Sequence, residues 1–588
     1  MLHNTRKVSL PGEPSSEDVL LVTVLFNLTL EMQRISITFW GDKYSRLTRT
    51  VYDLSIYAEP EDPASQYIAT RNIVWKLDDS TSYTAALKCI KDCARHESCP
   101  RPVPTTLPTR VLDCSDPSGL RLITTNPSTK ELFVALSYVW GGPQLHCTTK
   151  DNIKLYRNFI DPSKVPKTIA DAITVTRRLG LRYLWVDSFC IIQDSSDDKA
   201  LEIAKMRLNF RNAFITIVAA RANAVSEGFL QNTYPTLQFA PIRLPFRCPN
   251  GNTGTFTAVR HMKLTEPVDS RAWCLEERVL SPRLLVFSTG GLQYECQTER
   301  INVNRSPLGL PWTVTRLPDY AFVEEPGIVA ELQMENCWNK ILQQYTASSL
   351  TNQKDKLLAI AGIAEQLHRL WPESRYVAGL WTHQLPSALL WKTEQKQIRP
   401  NIYRAPSWSW AAVDGPITPG KATWESESAY LNDRISEVKN IVVNLKHTTN
   451  PYGEITSAHL ILCADLARAT WNTHEDSDPC HIIFDELPAG GLMVAGRINP
   501  NDHIGYVGLD AVEIQEPRVV ELMLVGLFRY GAALPVISRL GKYDIHGLVL
   551  LPALDQDANG VTTYRRIGEF TMNAENWFPF GKHDVHII

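Results

Sequence analysis

Three apolar runs, Phe133 to Trp140, Tyr183 to Ile192 and Phe214 to Ala220, constrain this chain more than any other feature, because stretches of helical character separate them. The first run stops at Gly141-Gly142-Pro143. After a loop, Val165 to Leu179 shows helical periodicity, with Pro166 in its first turn and Gly180 as a C-terminal stop. The second run ends in Asp194-Ser195-Ser196-Asp197-Asp198, which supplies N-cap chemistry for a helix through Ala213. Two successive strand-helix-strand units predict parallel pairing, since each helix carries the chain back to the starting edge. The expected fold class is α/β with a parallel sheet. Open sheets of this kind bind ligands at the carboxyl ends of their strands, so Tyr138 to Gly141, Asp187 to Asp194 and Arg221 are expected on one rim.

The rest of the chain is punctuated differently. Residues 1–70 read as a β-rich segment, residues 80–100 as a short helix and linker, and residues 105–300 as the α/β core. Residues 301–430 carry helical stretches at 338–368 and 384–392, and residues 431–588 alternate as a mostly β lobe. At 588 residues with 44% apolar and 21% charged side chains, the chain is expected to bury large cores. Sixty basic against 63 acidic residues leave no positive field for a phosphate backbone, so nucleic acid is not an expected partner. Leu20 to Leu30 is too short and too polar to span a bilayer, which needs about 20 apolar residues, and it follows acidic Glu17 and Asp18 rather than a basic segment. A cytoplasmic protein without a membrane span is the expectation, and twelve irregularly spaced cysteines fit buried thiols in a reducing compartment.

Several groups could carry chemistry. Cys89, Cys93, His96 and Cys99 form a C-x3-C-x2-H-x2-C cluster whose first three members share a helical face. That spacing matches none of the common pairwise zinc patterns, so core thiols and no metal are expected. Cys190, Asp187 and His146 could be assembled into a thiol and base, but Cys190 lies in an apolar run, where an inert thiol is the default. Gly415 to Ala422 mimics a phosphate loop but lacks the magnesium hydroxyl and contains two prolines, so it is rejected. Glu202, in the first turns of the rim helix, reads either as a solvated residue paired with Lys205 or as a site carboxylate. Ser270 to Arg278 packs arginines and carboxylates around Trp273, as a buried ion network or as ligand donors and acceptors.

With these residues set out, the chain resembles fungal heterokaryon incompatibility (HET) domain proteins. The resemblance runs through Ala135 to Gly142, Leu184 to Asp194, Glu202 with Met206, and Arg271 to Arg278 with Ser281-Pro282-Arg283. It continues in Tyr345-Thr346 through Asp355-Lys356, Ala378 to Trp381 and Arg404 to Ala411. It implies a flavodoxin-like core similar to TIR domains, many of which cleave NAD, and a role in non-self recognition and programmed cell death. By that analogy Glu202 is the catalytic carboxylate. Ser137, Tyr138, Trp140, Gly141, Asp187, Ser188, Gln193, Arg271, Trp273, Glu277 and Arg278 are then expected to bind a nucleotide-like molecule, with NAD as substrate rather than cofactor. A homo-oligomer or a signalling partner is implied as well. A non-catalytic signalling protein, or an enzyme acting on another small molecule in metabolism, are the alternatives.

Overall fold

The computed structural model describes residues 3–5, 21–28, 33–40, 49–72, 74, 77–116, 119–231, 240–260, 265–306, 315–322, 331–393, 397, 399–420, 430–448, 450–472, 481–484, 492–494, 505–511, 519–532, 543–556, 560–573, 577, 579 and 581–588. The chain divides into two compact units, Met1–Glu325 and Pro326–Ile588.

The first unit is built on an eight-stranded sheet. Its strands are β1 (Arg110–Asp113), β2 (Arg121–Thr124), β3 (Phe133–Ser137), β4 (Tyr183–Trp185), β5 (Ile215–Val218), β6 (Leu284–Ser288), β7 (Gly291–Glu295) and β8 (Arg300–Asn302), in the spatial order β8-β7-β6-β5-β3-β4-β1-β2. The four central strands, β4, β3, β5 and β6, run parallel. Antiparallel strands flank them on both sides, so the sheet is mixed rather than wholly parallel as the sequence led us to expect. The reason is local: β6-β7-β8 and β1-β2 are joined by short turns, and a short turn can only reverse the chain. Residues β3, β5 and β6 are buried throughout, as befits central parallel strands covered on both faces.

Besides the short helix Ile153–Asn158, the helices of this unit that bear on the site are α1 (Ser80–Cys93), α2 (Lys167–Arg178), the single turn α3 (Asp187–Cys190), α4 (Ser196–Asn212) and α5 (Ala272–Leu280). The expected second strand ends seven residues early, at Trp185, and the chain turns into α3 where the Ser188 amide donates to the Asp187 carboxylate. Ser195 caps α4 by accepting from the Asp198 amide. Residues 274–280 of α5 are all buried, so Glu276, Glu277 and Arg278 lie inside the unit rather than on a solvated helix face. A second sheet of this unit joins Leu21–Leu28, Gln33–Trp40 and Arg49–Tyr57 to the hairpin Ile242–Arg247 and Thr253–Arg260.

In the second unit, helices Glu331–Thr346 and Ala361–His368 replace the longer expected helical stretch, and 384–392 forms only the short 3-10 turn Ser387–Leu390. Ile417–Thr418, inside the rejected phosphate-loop mimic, pairs with Lys392–Thr393, while Lys421 and Ala422 lie outside the described residues. The expected β lobe is a ring of five strands, Ile455–Asn472, Val519–Ala532, Tyr543–Gln556, Thr562–Asn573 and Lys582–Ile587, each hydrogen-bonded to the next and the last to the first. Leu524, Ile545, Val549, Ile567 and Phe570 fill its interior. Among the described residues no helix is long and apolar enough to cross a membrane.

Candidate active site

β3 and β4 pair with Trp185 opposite Ala135, so the residues just past their carboxyl ends face one another across the rim. Tyr138 follows β3, and its hydroxyl lies 2.9 Å from Asp187 Oδ1 and 2.9 Å from Ser188 Oγ. The indole Nε1 of Trp140 donates to Asp187 Oδ2 at 2.9 Å, and the Ser188 amide donates to Oδ1 at 2.6 Å. Gln193 Nε2 closes the loop after α3 onto the Asp187 carbonyl at 3.1 Å. Burial raises the Asp187 carboxyl above its ordinary range, and the donors from Tyr138, Ser188 and Trp140, with the charge of Arg271, oppose that rise.

The segment around α5 adds the second half. Arg271 donates from Nη1 to the Tyr138 carbonyl at 3.0 Å, and the Cys274 thiol approaches the same oxygen at 3.5 Å. One turn further along the helix, burial pushes the Glu277 carboxyl up to about 7, and the charge of Asp187 adds to the rise. Ser137, Arg271 and Cys274 act in the opposite direction. The Ser137 hydroxyl is near enough to lower the Glu277 pKa, yet neither Ser137 Oγ nor Glu277 Oε2 completes a hydrogen bond of good geometry. Two buried carboxyl groups, one cation and an unsatisfied carboxylate oxygen thus come together where two parallel strands end, and both carboxyls are shifted upward there.

The structure draws together Ser137, Tyr138, Trp140, Asp187, Ser188, Gln193, Arg271 and Glu277. It treats the other expected residues differently. Glu202 is buried rather than solvated, and its Oε1 accepts from Lys205 at 3.0 Å, while Lys205 also donates to Thr109 just before β1. Its Oε2 is buried without a partner. Arg278 is ion-paired with Asp269. Arg221 is held by the Gln231 carbonyl. Trp273 is half-buried on α5, four residues before Glu277 and so on the same helical face. Gly141 serves packing: at φ 71° a Cβ there would stand 2.3 Å from the Ala224 Cβ. Burial pushes Cys190 up to about 12 while His146 is exposed, so these two make no thiol and base pair. Cys274 escaped the sequence reading, although its place three residues before Glu277 puts it on the same face of α5.

No curated protein and no solved structure matches the chain. A family model does. Residues 133–277 match the model described as Heterokaryon incompatibility protein (HET), a stretch that runs from the first residue of β3 to Glu277.

Proposed function

We propose that this chain is a heterokaryon-incompatibility effector whose rim binds a nucleotide of the NAD class and hydrolyses its nicotinamide glycosidic bond, in the service of non-self recognition and cell death. The observation that carries this reading is the Asp187 and Glu277 pair, two carboxyl groups in electrostatic contact beneath Arg271 at the carboxyl ends of β3 and β4.

The chemistry suits such a pair. Nicotinamide in NAD is already cationic, so it departs as a neutral base when the C1′–N1 bond breaks, without prior protonation. What the transition state needs is negative charge near the developing oxocarbenium ion, the same need met by carboxylates in glycoside hydrolysis. Asp187, held by three donors, supplies a positioned charge. Glu277, with a carboxyl near 7, takes the proton of the water whose oxygen bonds to C1′, as a general base poised near neutral pH. Arg271 faces the phosphates and Trp140 the base, the usual partners of each.

Here the carboxylate implied by family resemblance, Glu202, and the one favoured by the geometry, Glu277, separate. Purified protein incubated with NAD is assayed by chromatography for free nicotinamide, at high protein concentration to permit self-association. Loss of release in Glu277→Gln with retention in Glu202→Gln supports the Asp187 and Glu277 site. The reverse pattern moves the chemistry to α4, and no release from the wild type removes the hydrolase reading.

A further inference from the structure

The cysteine and histidine cluster that spacing dismissed acquires a member from far away in the chain. One ligand atom each of Cys93, His96, Cys99 and Cys296 falls within a group whose atoms all lie within 4.8 Å of one another. Cys89 is not part of it. Cys93 is the last residue of α1, and Cys296 opens the turn between β7 and β8, 200 residues from His96.

We infer that Cys93, His96, Cys99 and Cys296 bind one structural zinc ion, as a Cys3His tetrahedron that clips α1 to the outer hairpin of the sheet. The geometry comes first. His96 Nδ1 lies 3.6 Å from Cys99 Sγ and 3.6 Å from Cys296 Sγ. With zinc bonds of about 2.3 Å to sulfur and about 2.0 Å to nitrogen, the nitrogen-to-sulfur edge of a tetrahedron is about 3.5 Å, close to both distances. The surroundings agree. His96 Nε2 lies 3.5 Å from Glu299 Oε1, a carboxylate that favours the proton on that nitrogen and so Nδ1 as the coordinating atom. The Glu299 amide donates to Cys296 Sγ at 3.3 Å, and Thr298 Oγ1 lies 3.3 Å from Cys99 Sγ, so both sulfurs have neighbours suited to thiolates. Three thiolates with one zinc ion leave a single negative charge, and the Arg283 guanidinium lies beside Cys93 to offset it. Cys93, Cys99 and Cys296 are 0%, 6% and 5% exposed, which describes a closed structural site rather than an open catalytic one. An odd number of thiols also argues against a disulfide, which would strand one sulfur beside the imidazole.

The test uses the full chain, purified without chelators. Elemental analysis is expected to find about one zinc per chain, and Cys296→Ser to lose it while Cys89→Ser keeps it. Exchange for cobalt(II) is expected to give the thiolate charge-transfer band and strong visible bands of a tetrahedral sulfur-rich site, a readout that needs no variant to fold. Chelation is expected to lower the melting temperature. A wild type that folds without metal and gives no tetrahedral cobalt spectrum overturns the inference, as does a disulfide among Cys93, Cys99 and Cys296 found by mass spectrometry. Retention of zinc by Cys296→Ser overturns it too.

Discussion

The indole of Trp140 and the carboxylate of Asp187 are joined by a 2.9 Å hydrogen bond that ties the exit of β3 to the exit of β4. Removing the donor in Trp140→Phe leaves Asp187 with one fewer bond to its ionised form. The expected cost is about 1 to 2 kcal/mol of stability, measured by urea denaturation followed by circular dichroism, with the Asp187 carboxyl shifted further upward. An unchanged midpoint would mean that water replaces the indole without loss.

Glu277 sets a pH dependence whose sign is determined by its environment. Its carboxyl rises from an ordinary 4.5 to about 7 on folding, so the folded state binds this proton more tightly than the unfolded chain. The stability it contributes is complete below 4.5 and is lost as pH rises through about 7. Relative to Glu277→Gln, the wild type is expected to lose on the order of 3 kcal/mol across that window. Parallel stability profiles of the two proteins would expose a carboxyl that titrates normally.

Glu202 is expected to behave as a buried residue. A surface glutamate would cost less than about 0.5 kcal/mol to truncate, but Glu202→Ala removes the partner of Lys205 from a covered position, at about 1 to 3 kcal/mol. Glu202→Gln keeps an acceptor for Lys205 and is expected to melt close to the wild type. Equal melting temperatures for all three proteins would return Glu202 to the surface.

In the second unit Arg566 is fully buried, stacks 3.6 Å from the centre of the Trp391 ring and pairs with Asp510 at 3.0 Å. Asp510→Ala strands that guanidinium and is expected to cost about 3 to 5 kcal/mol, read as a lowered melting transition. Because Asp510 also faces Arg399 at 3.6 Å, Asp510→Leu with Arg566→Met and Arg399→Met, which removes all three charges, should recover much of the loss.

Much of the α/β core was legible because Pro166, Gly180 and the polar run Asp194 to Asp198 punctuate it through short-range backbone chemistry. The rim was legible for the same reason, since the ends of parallel strands coincide. What escaped depends on contacts distant in sequence. The charged residues of α5 are buried by packing that the sequence does not show, the burial of Glu202 depends on tertiary packing rather than on its i+3 neighbour, and Cys296 reaches Cys93 and His96 only through the folded sheet. The antiparallel flanks were obscured because β1, β2 and β8 are only three or four residues long.

The strand order of the main sheet bears on how this protein can be cut. The family match stops at residue 277, yet β5 pairs on one side with β6, which begins at Leu284, and β4 pairs on its outer side with β1, which ends at Asp113. A fragment trimmed to the match would keep only three sheet strands and expose the backbone of two of them along their full length. Such bare edges are templates for intermolecular pairing. The smallest soluble piece is therefore expected to reach from ahead of Arg110 to beyond Asn302, and inclusion bodies from the shorter piece would reflect severed hydrogen-bond ladders rather than a defective active site.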